Sequence, residues 1–248
     1  MLDNKEKNIV QGLWIGNNLS PMEQLSLASF VKNGHEYHFY VYEDVDNVPD
    51  GVVVKDGNDI LPESMIFAYK NGEGKGSFSA FSNYFRYKLL LDKGGWWADT
   101  DMVCIRPLDF KQDHVFATEL YMNEDYITSG IIKAEKGSEV MNYCWNVCKS
   151  KDPDAIVWGE VGPSLIRNAV NKRFPQYKKN VVKPNVFCPV GFASWVAFVN
   201  PNFKINFSDE TYCVHMWNEM WRRNNIDKSN TFHPDCYYEQ LKKRYLNV

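Results

Sequence analysis

The chain predicts an α/β fold: one domain built on a mostly parallel central sheet with helices on its flanks. Three observations carry this. A strand, a helix and a second strand follow one another up to Tyr42, the order that generates parallel pairing. The 248 residues are 44% hydrophobic and 15% aromatic, enough for one sizeable core. No repeat, low-complexity stretch or linker divides them. Ligands of such sheets collect beyond the carboxyl ends of the strands, so the turn after the first strand is a candidate site.

Ile9 to Ile15 is the first strand, closed by Gly16-Asn17-Asn18. A helix follows. Ser20 caps it, Pro21 takes the first position, where a missing N–H costs nothing, Glu23 completes a capping box, and Gly34 ends it in a left-handed turn. Tyr37 to Tyr42 and Val52-Val53-Val54 are the next strands, and a helix is expected around Glu63 to Lys70. Asn71 to Ser77 is glycine-rich but lacks the spacing of a phosphate loop, and reads as a mobile loop. From Ser77 or Ser79 to Lys93, the recurrence of Phe78, Phe81, Phe85 and Leu89 predicts a helix, with Asn83 and Arg86 together on a neighbouring face. Gly94-Gly95 stops it, and Trp96 to Ile105 is strand-like until Arg106-Pro107. Beyond that the pattern thins. Ile131-Ile132 reads as a short strand, Ser138 caps a helix carrying Met141, Cys144, Val147 and Cys148, and another helix follows Gly162-Pro163.

A net charge of -3 argues against nucleic-acid binding, which needs a concentrated basic surface. Lys178-Lys179, Arg222-Arg223 and Lys242-Lys243-Arg244 are either solvated faces or patches that meet an anionic membrane or acceptor. No apolar run reaches the length of a membrane span, and Met1 to Lys7 lacks the apolar stretch of a signal peptide. A soluble, cytoplasmic protein is therefore expected, with the basic C-terminus as the means of any peripheral contact at the inner face of a membrane. The 6 cysteines include no C-x-x-C pair and read as free thiols of a reducing compartment.

Asp-x-Asp occurs as Asp44/Asp46, Asp99/Asp101 and Asp152/Asp154. The outer two stand in polar or proline-broken segments and read as exposed loop. Asp99 and Asp101 stand among aromatics, where ionised carboxylates are costly unless something positive compensates them. In extended backbone, residues i and i+2 share a face, so the pair would aim at one point, and hard oxygen donors suit Mn²⁺ or Mg²⁺. The other reading is a buried ion network in which Arg86 or a lysine pairs with the aspartates.

The run Phe78 to Asp101 contains Ser82-Asn83, Arg86-Tyr87, Gly94-Gly95, and Trp97 two residues before Asp99-Thr100-Asp101. It resembles the sugar-binding region of glycosyltransferase family 32, departing at Asn83, where many relatives carry aspartate. The resemblance implies a single GT-A type domain over 1–248 with a Rossmann-like sheet, its nucleotide-binding half reaching about residue 110 and its acceptor-side half following. It also implies retaining transfer of a hexose or N-acetylhexosamine from a nucleotide-sugar, UDP-linked or alternatively GDP-mannose. The acceptor would be a glycan or glycolipid in surface polysaccharide or lipopolysaccharide synthesis. Leu13-Trp14-Ile15-Gly16 is similar to the family's first strand, whose tryptophan packs near the base, although Trp14 suits the core equally. Gly159 to Pro163 is similar to a Gly-Pro turn near the acceptor, and Val214 to Trp221 to a C-terminal His and Trp motif that closes over diphosphate and metal.

By this likeness Asp101 binds the metal directly, while Asp99 binds it through water or holds the ribose and donor sugar. His215 meets the metal or the diphosphate, and Glu219 is a weaker metal candidate. Ser82, Asn83, Arg86, Trp97, Gly162, Pro163, Trp217 and Trp221 contact substrate, Asn83 at sugar hydroxyls and Arg86 at sugar or phosphate oxygens. Charge builds on the departing diphosphate, where a divalent ion acts as a Lewis acid. No nucleophile is identifiable. A metal-dependent nucleotidyltransferase or phosphoesterase would require more clustered ligands than the 5 histidines provide. A lectin-like module would bind glycan without turnover, and an inactive homologue would usually have lost Asp99, Asp101 or Arg86, all of which are present.

Overall fold

The computed structural model describes residues 9–246, so Met1 to Lys7 lies outside the described residues. β1 (Val10–Leu13), α1 (Pro21–Lys32), β2 (Tyr37–Val41) and β3 (Val52–Asp56) form in the expected order. α1 opens with the capping box: the Met22 N–H donates to Ser20 Oγ at 3.2 Å, and the Ser20 N–H donates to Glu23 Oε2 at 2.9 Å. The helix expected over 63–70 is reduced to a 3-10 turn, Glu63–Met65. Tertiary contact overrides it: Phe67 packs edge-on against Phe81 and Tyr84, and Tyr69 meets Trp158, all from chain that has left the helix. The glycine-rich segment after it folds back on itself, with the Gly76 N–H on the Tyr69 carbonyl at 2.9 Å.

The chain continues as α2 (Ser79–Lys93), β4 (Gly95–Ala98), β5 (Met102–Cys104), β6 (Val115–Tyr121), β7 (Glu124–Ala134), α3 (Glu139–Lys149), α4 (Pro163–Asn168), α5 (Pro184–Phe187), β8 (Cys213–His215), α6 (Asn218–Arg223) and α7 (Tyr237–Leu246). The six-stranded sheet has the order β3-β2-β1-β4-β7-β6, with β7 running against its neighbours; β5 and β8 form a separate antiparallel pair. Ile131-Ile132 are thus part of a much longer strand than the sequence indicates, hairpin-paired to β6.

Strand alternation sends the adjacent Trp96 and Trp97 into opposite layers, each fully buried. Trp96 joins the core beneath α1 and α7, and Trp97 the core beneath α2 and α3. Gly12 lets Tyr37 cross the sheet: a methyl there would lie 2.2 Å from the Tyr37 hydroxyl. All six cysteines are buried and unpaired. Among the described residues no helix is long and apolar enough to cross a membrane.

His114 tests the packing away from any site. Its Nε2 lies 2.8 Å from Ser138 Oγ, the cap of α3, and burial holds its pKa below the ordinary value against the pull of Glu135. A depressed folded pKa means stability that is present above the unfolded value of about 6.5 and lost as pH falls below it. Chemical denaturation between about pH 7.5 and 5 should show that loss, and His114→Gln should remove part of the slope.

Candidate active site

A cavity of about 760 Å³ opens where the strand order reverses, at the carboxyl ends of β1 and β4. Leu13, Trp14 and Ile15 wall it from the end of β1, Ser82, Asn83 and Arg86 from α2, and Trp97, Asp99, Thr100 and Asp101 from β4 and the turn beyond; His215 and Trp217 come from the far end of the chain.

Asp99-Thr100-Asp101 is a turn, not extended chain, closed by the Met102 N–H on the Asp99 carbonyl at 2.9 Å. The two carboxylates therefore have separate partners. Asp99 Oδ1 accepts from Arg86 Nη2 and from Trp97 Nε1, both at 2.8 Å. Asp101 Oδ2 accepts from the Asn218 N–H at 2.8 Å and lies 3.2 Å from His215 Nε2. The β5–β8 ladder creates this second meeting: it sets Met102 opposite His215 and continues with the Met216 N–H donating to the Asp101 carbonyl at 2.9 Å.

Burial lifts the Asp99 carboxyl above its ordinary value; Arg86 opposes the rise and the Asp101 charge adds to it. Burial acts on Asp101 in the same sense, but His215 and the Asn218 N–H outweigh it and leave this carboxyl below the ordinary value. Burial alone would discharge His215, yet Asp101 holds its pKa well above the ordinary value, so the two form an ion pair. Trp217, in left-handed backbone at φ 58°, lays its ring against His215 with centroids 3.8 Å apart and donates Nε1–H to the Val190 carbonyl at 2.7 Å.

Residues 23–122 match the glycosyltransferase sugar-binding region containing a DXD motif, and residues 133–245 match the α-1,4-glycosyltransferase conserved region. The chain is a family 32-like glycosyltransferase. No curated protein compared with the transferase matches it. Among solved structures it is similar to PaToxG Glycosyltransferase at 16% identity and a TM-score of 0.52, covering 70% of this chain and 72% of that one. It is also similar to a cysteine-to-serine transferase variant at 14% identity and a TM-score of 0.45, covering 68% and 86%. The first likeness shows a shared fold.

Several expected contacts differ in the transferase. Arg86 is 2% exposed and its donors are engaged within the protein: Nη2 reaches Ser82 Oγ as well as Asp99, Nε reaches the Ser82 carbonyl, and Nη1 the Ser129 carbonyl. The buried ion network is therefore present for Asp99, and Arg86 serves to hold that carboxylate. Asn83 likewise donates Nδ2–H to the Ser79 carbonyl at 2.8 Å and accepts from Ser129 Oγ at 3.3 Å, while still lining the cavity. Gly162 sits behind it, not on the cavity, because a side chain there would meet Asn83 Nδ2 at 2.9 Å; Pro163 does reach the wall. Trp221 is fully buried among Trp195, Phe232 and Tyr238, and does not line the cavity. Glu219 is taken up by Arg222 and Arg223, each at 2.7 Å. On α7 Lys242 turns inward to Glu239 at 2.6 Å, which leaves Lys243 and Arg244 as the exposed part of that basic run.

The sequence reading missed Asn218, Lys228 and Glu119. Lys228 Nζ donates to Asn218 Oδ1 at 2.8 Å, pairs with Glu23 of the α1 capping box, and lies 5.7 Å from the Trp14 ring centre. These contacts join distant segments and have no local signal. Glu119 did have one: it is the sole charged residue in Val115–Tyr121.

Proposed function

We propose that the transferase moves a hexose or N-acetylhexosamine from a nucleotide-sugar, UDP-linked in the first instance, to a glycan acceptor of surface polysaccharide or lipopolysaccharide synthesis. A divalent Mn²⁺ or Mg²⁺ serves at the diphosphate. The observation that carries this is the meeting of Asp101 and His215 on the cavity wall, 3.2 Å apart. Retention of configuration rests on the family resemblance.

The donor set fits such a cation in part. Asp101 supplies a carboxylate oxygen, and His215 would supply an imidazole nitrogen only on giving up the proton that pairs it with Asp101. Asp99 is committed to Arg86 and Trp97, and among the described residues no group of three or more His, Cys, Asp or Glu side chains is arranged to hold a metal. One carboxylate, completed by phosphate oxygens and water, is an arrangement Mg²⁺ takes in nucleotide sites. When bound, the ion would neutralise charge on the departing diphosphate.

The chain's own residues supply the rest. Arg86 and Trp97 fix Asp99 so that its carboxylate faces the sugar or ribose. Among the described residues the Trp14 indole N–H is buried with no hydrogen-bond partner, at the wall where a base would lie. Closure of the cavity by Trp217 would exclude water from the anomeric carbon.

Nucleotide release from a panel of UDP- and GDP-sugars, with Mn²⁺, Mg²⁺ or EDTA, tests the reading. Hydrolysis of one donor only when metal is present is expected. Silence across the panel, with no metal-dependent nucleotide binding, would overturn it in favour of an inactive or glycan-binding homologue.

A further inference from the structure

The cavity has an end that the donor chemistry leaves unused. From the Asp101–His215 pair its wall runs outward as a chain of rings: Trp217 and Phe192 have centroids 6.2 Å apart, and Phe192 and Tyr121 lie 6.0 Å apart and nearly parallel, at 26°. Tyr121 closes β6 just before a turn in which Met122 and Asn123 are left-handed, and it is 40% exposed. It stands at the cavity mouth yet is held from both sides, by Phe192 and by Tyr126 at 5.6 Å. Two residues earlier on the same strand face is Glu119, also on the cavity wall. Among the described residues none donates a hydrogen bond to its carboxylate. The His215 cation faces it but is already paired with Asp101, and Arg222 and Arg223, also on the wall, are paired with Glu219 and Glu73.

We infer that Tyr121, Phe192 and Glu119 form the acceptor subsite and that it takes a neutral pyranoside. The apolar face of the sugar ring lies on the two parallel rings, its hydroxyls donate to the Glu119 carboxylate, and the same carboxylate repels uronic, sialic or phosphorylated acceptors. Flat rings backed by one anchored polar group suit a ligand with one apolar and one hydroxyl-bearing aspect. The direction fits as well, because the ring chain leads from the mouth to the place where a diphosphate would depart. This inference rests on reading the chain as a nucleotide-sugar transferase.

The test uses the donor identified by the hydrolysis panel and compares p-nitrophenyl glycosides of neutral hexoses with p-nitrophenyl glucuronide. Transfer is scored against donor hydrolysis in the same sample. Wild type should transfer to a neutral glycoside and not to the glucuronide. Tyr121→Ala and Phe192→Ala should each lower the ratio of transfer to hydrolysis about tenfold through a raised acceptor KM, Tyr121→Phe should keep it, and Glu119→Gln should admit the glucuronide. Wild-type ratios in the alanine variants, preference for the glucuronide, or hydrolysis without transfer to any neutral pyranoside would each overturn the inference. Absence of hydrolysis with every donor is the distinct failure of the transferase reading, and takes this one with it.

Discussion

Replacing Asp101 by asparagine is expected to lower sugar transfer at least a thousandfold while leaving the fold intact. Asparagine has the same shape, and its carbonyl can keep the Asn218 N–H bond that now ends on Asp101 Oδ2 at 2.8 Å. What it loses is the negative charge. A cation beside the departing diphosphate would then lack its one carboxylate ligand, and a deficit of about 4 kcal/mol in stabilising that charge corresponds to about three decades in rate. A second readout needs no substrate. Asp101 is what holds the His215 pKa well above its ordinary value against the effect of burial. In the variant burial acts unopposed by that charge, so the His215 ring resonances should titrate at lower pH. Undiminished transfer in a folded variant would remove Asp101 from the chemistry.

Arg86→Met should have the largest effect on stability. The guanidinium is the main positive partner of Asp99, and its loss strands a half-buried carboxylate together with the Ser129 carbonyl and the Ser82 hydroxyl. Breaking a buried pair from one side costs about 3–5 kcal/mol, which lowers Tm by on the order of 10 °C in a domain of this size. The double variant Arg86→Met, Asp99→Asn should recover much of that loss, because neither member then carries an uncompensated charge, and should remain inactive. A double variant no more stable than the single one would show that Arg86 acts through packing over Trp97, whose ring centre is 4.9 Å away.

What the sequence discloses about this fold follows how local each signal is. α1 is readable because Ser20, Pro21 and Glu23 declare its start within four residues. The β6–β7 hairpin is not. Thr118, Glu119, Thr128 and Ser129 interrupt the apolar alternation, the register shifts between Phe116 and Thr118, and the turn takes Met122 and Asn123 through φ of 49° and 64° without a glycine. The polar residues that blur the pattern include those facing the cavity, so this hairpin is hidden partly by what makes it useful. Asp99, Asp101 and His215 could be named from family resemblance, but their division into an Arg86-held and a His215-held carboxylate depends on a turn and on strand pairing that no short window contains.

That pairing also dictates when the site exists. β5 and β8 lie far apart in the chain, so joining Met102 to His215 closes a long loop, whose entropy cost is met only after other contacts have drawn the ends together. The β1–β2 and β2–β3 pairs draw on nearer neighbours. Catalytic competence is therefore expected to arrive late in folding and to be lost early in partial unfolding, with the sheet and its Trp96 and Trp97 persisting in a molecule whose His215 has let go of Asp101. A His215 ring signal that changes at lower denaturant than tryptophan fluorescence would show it.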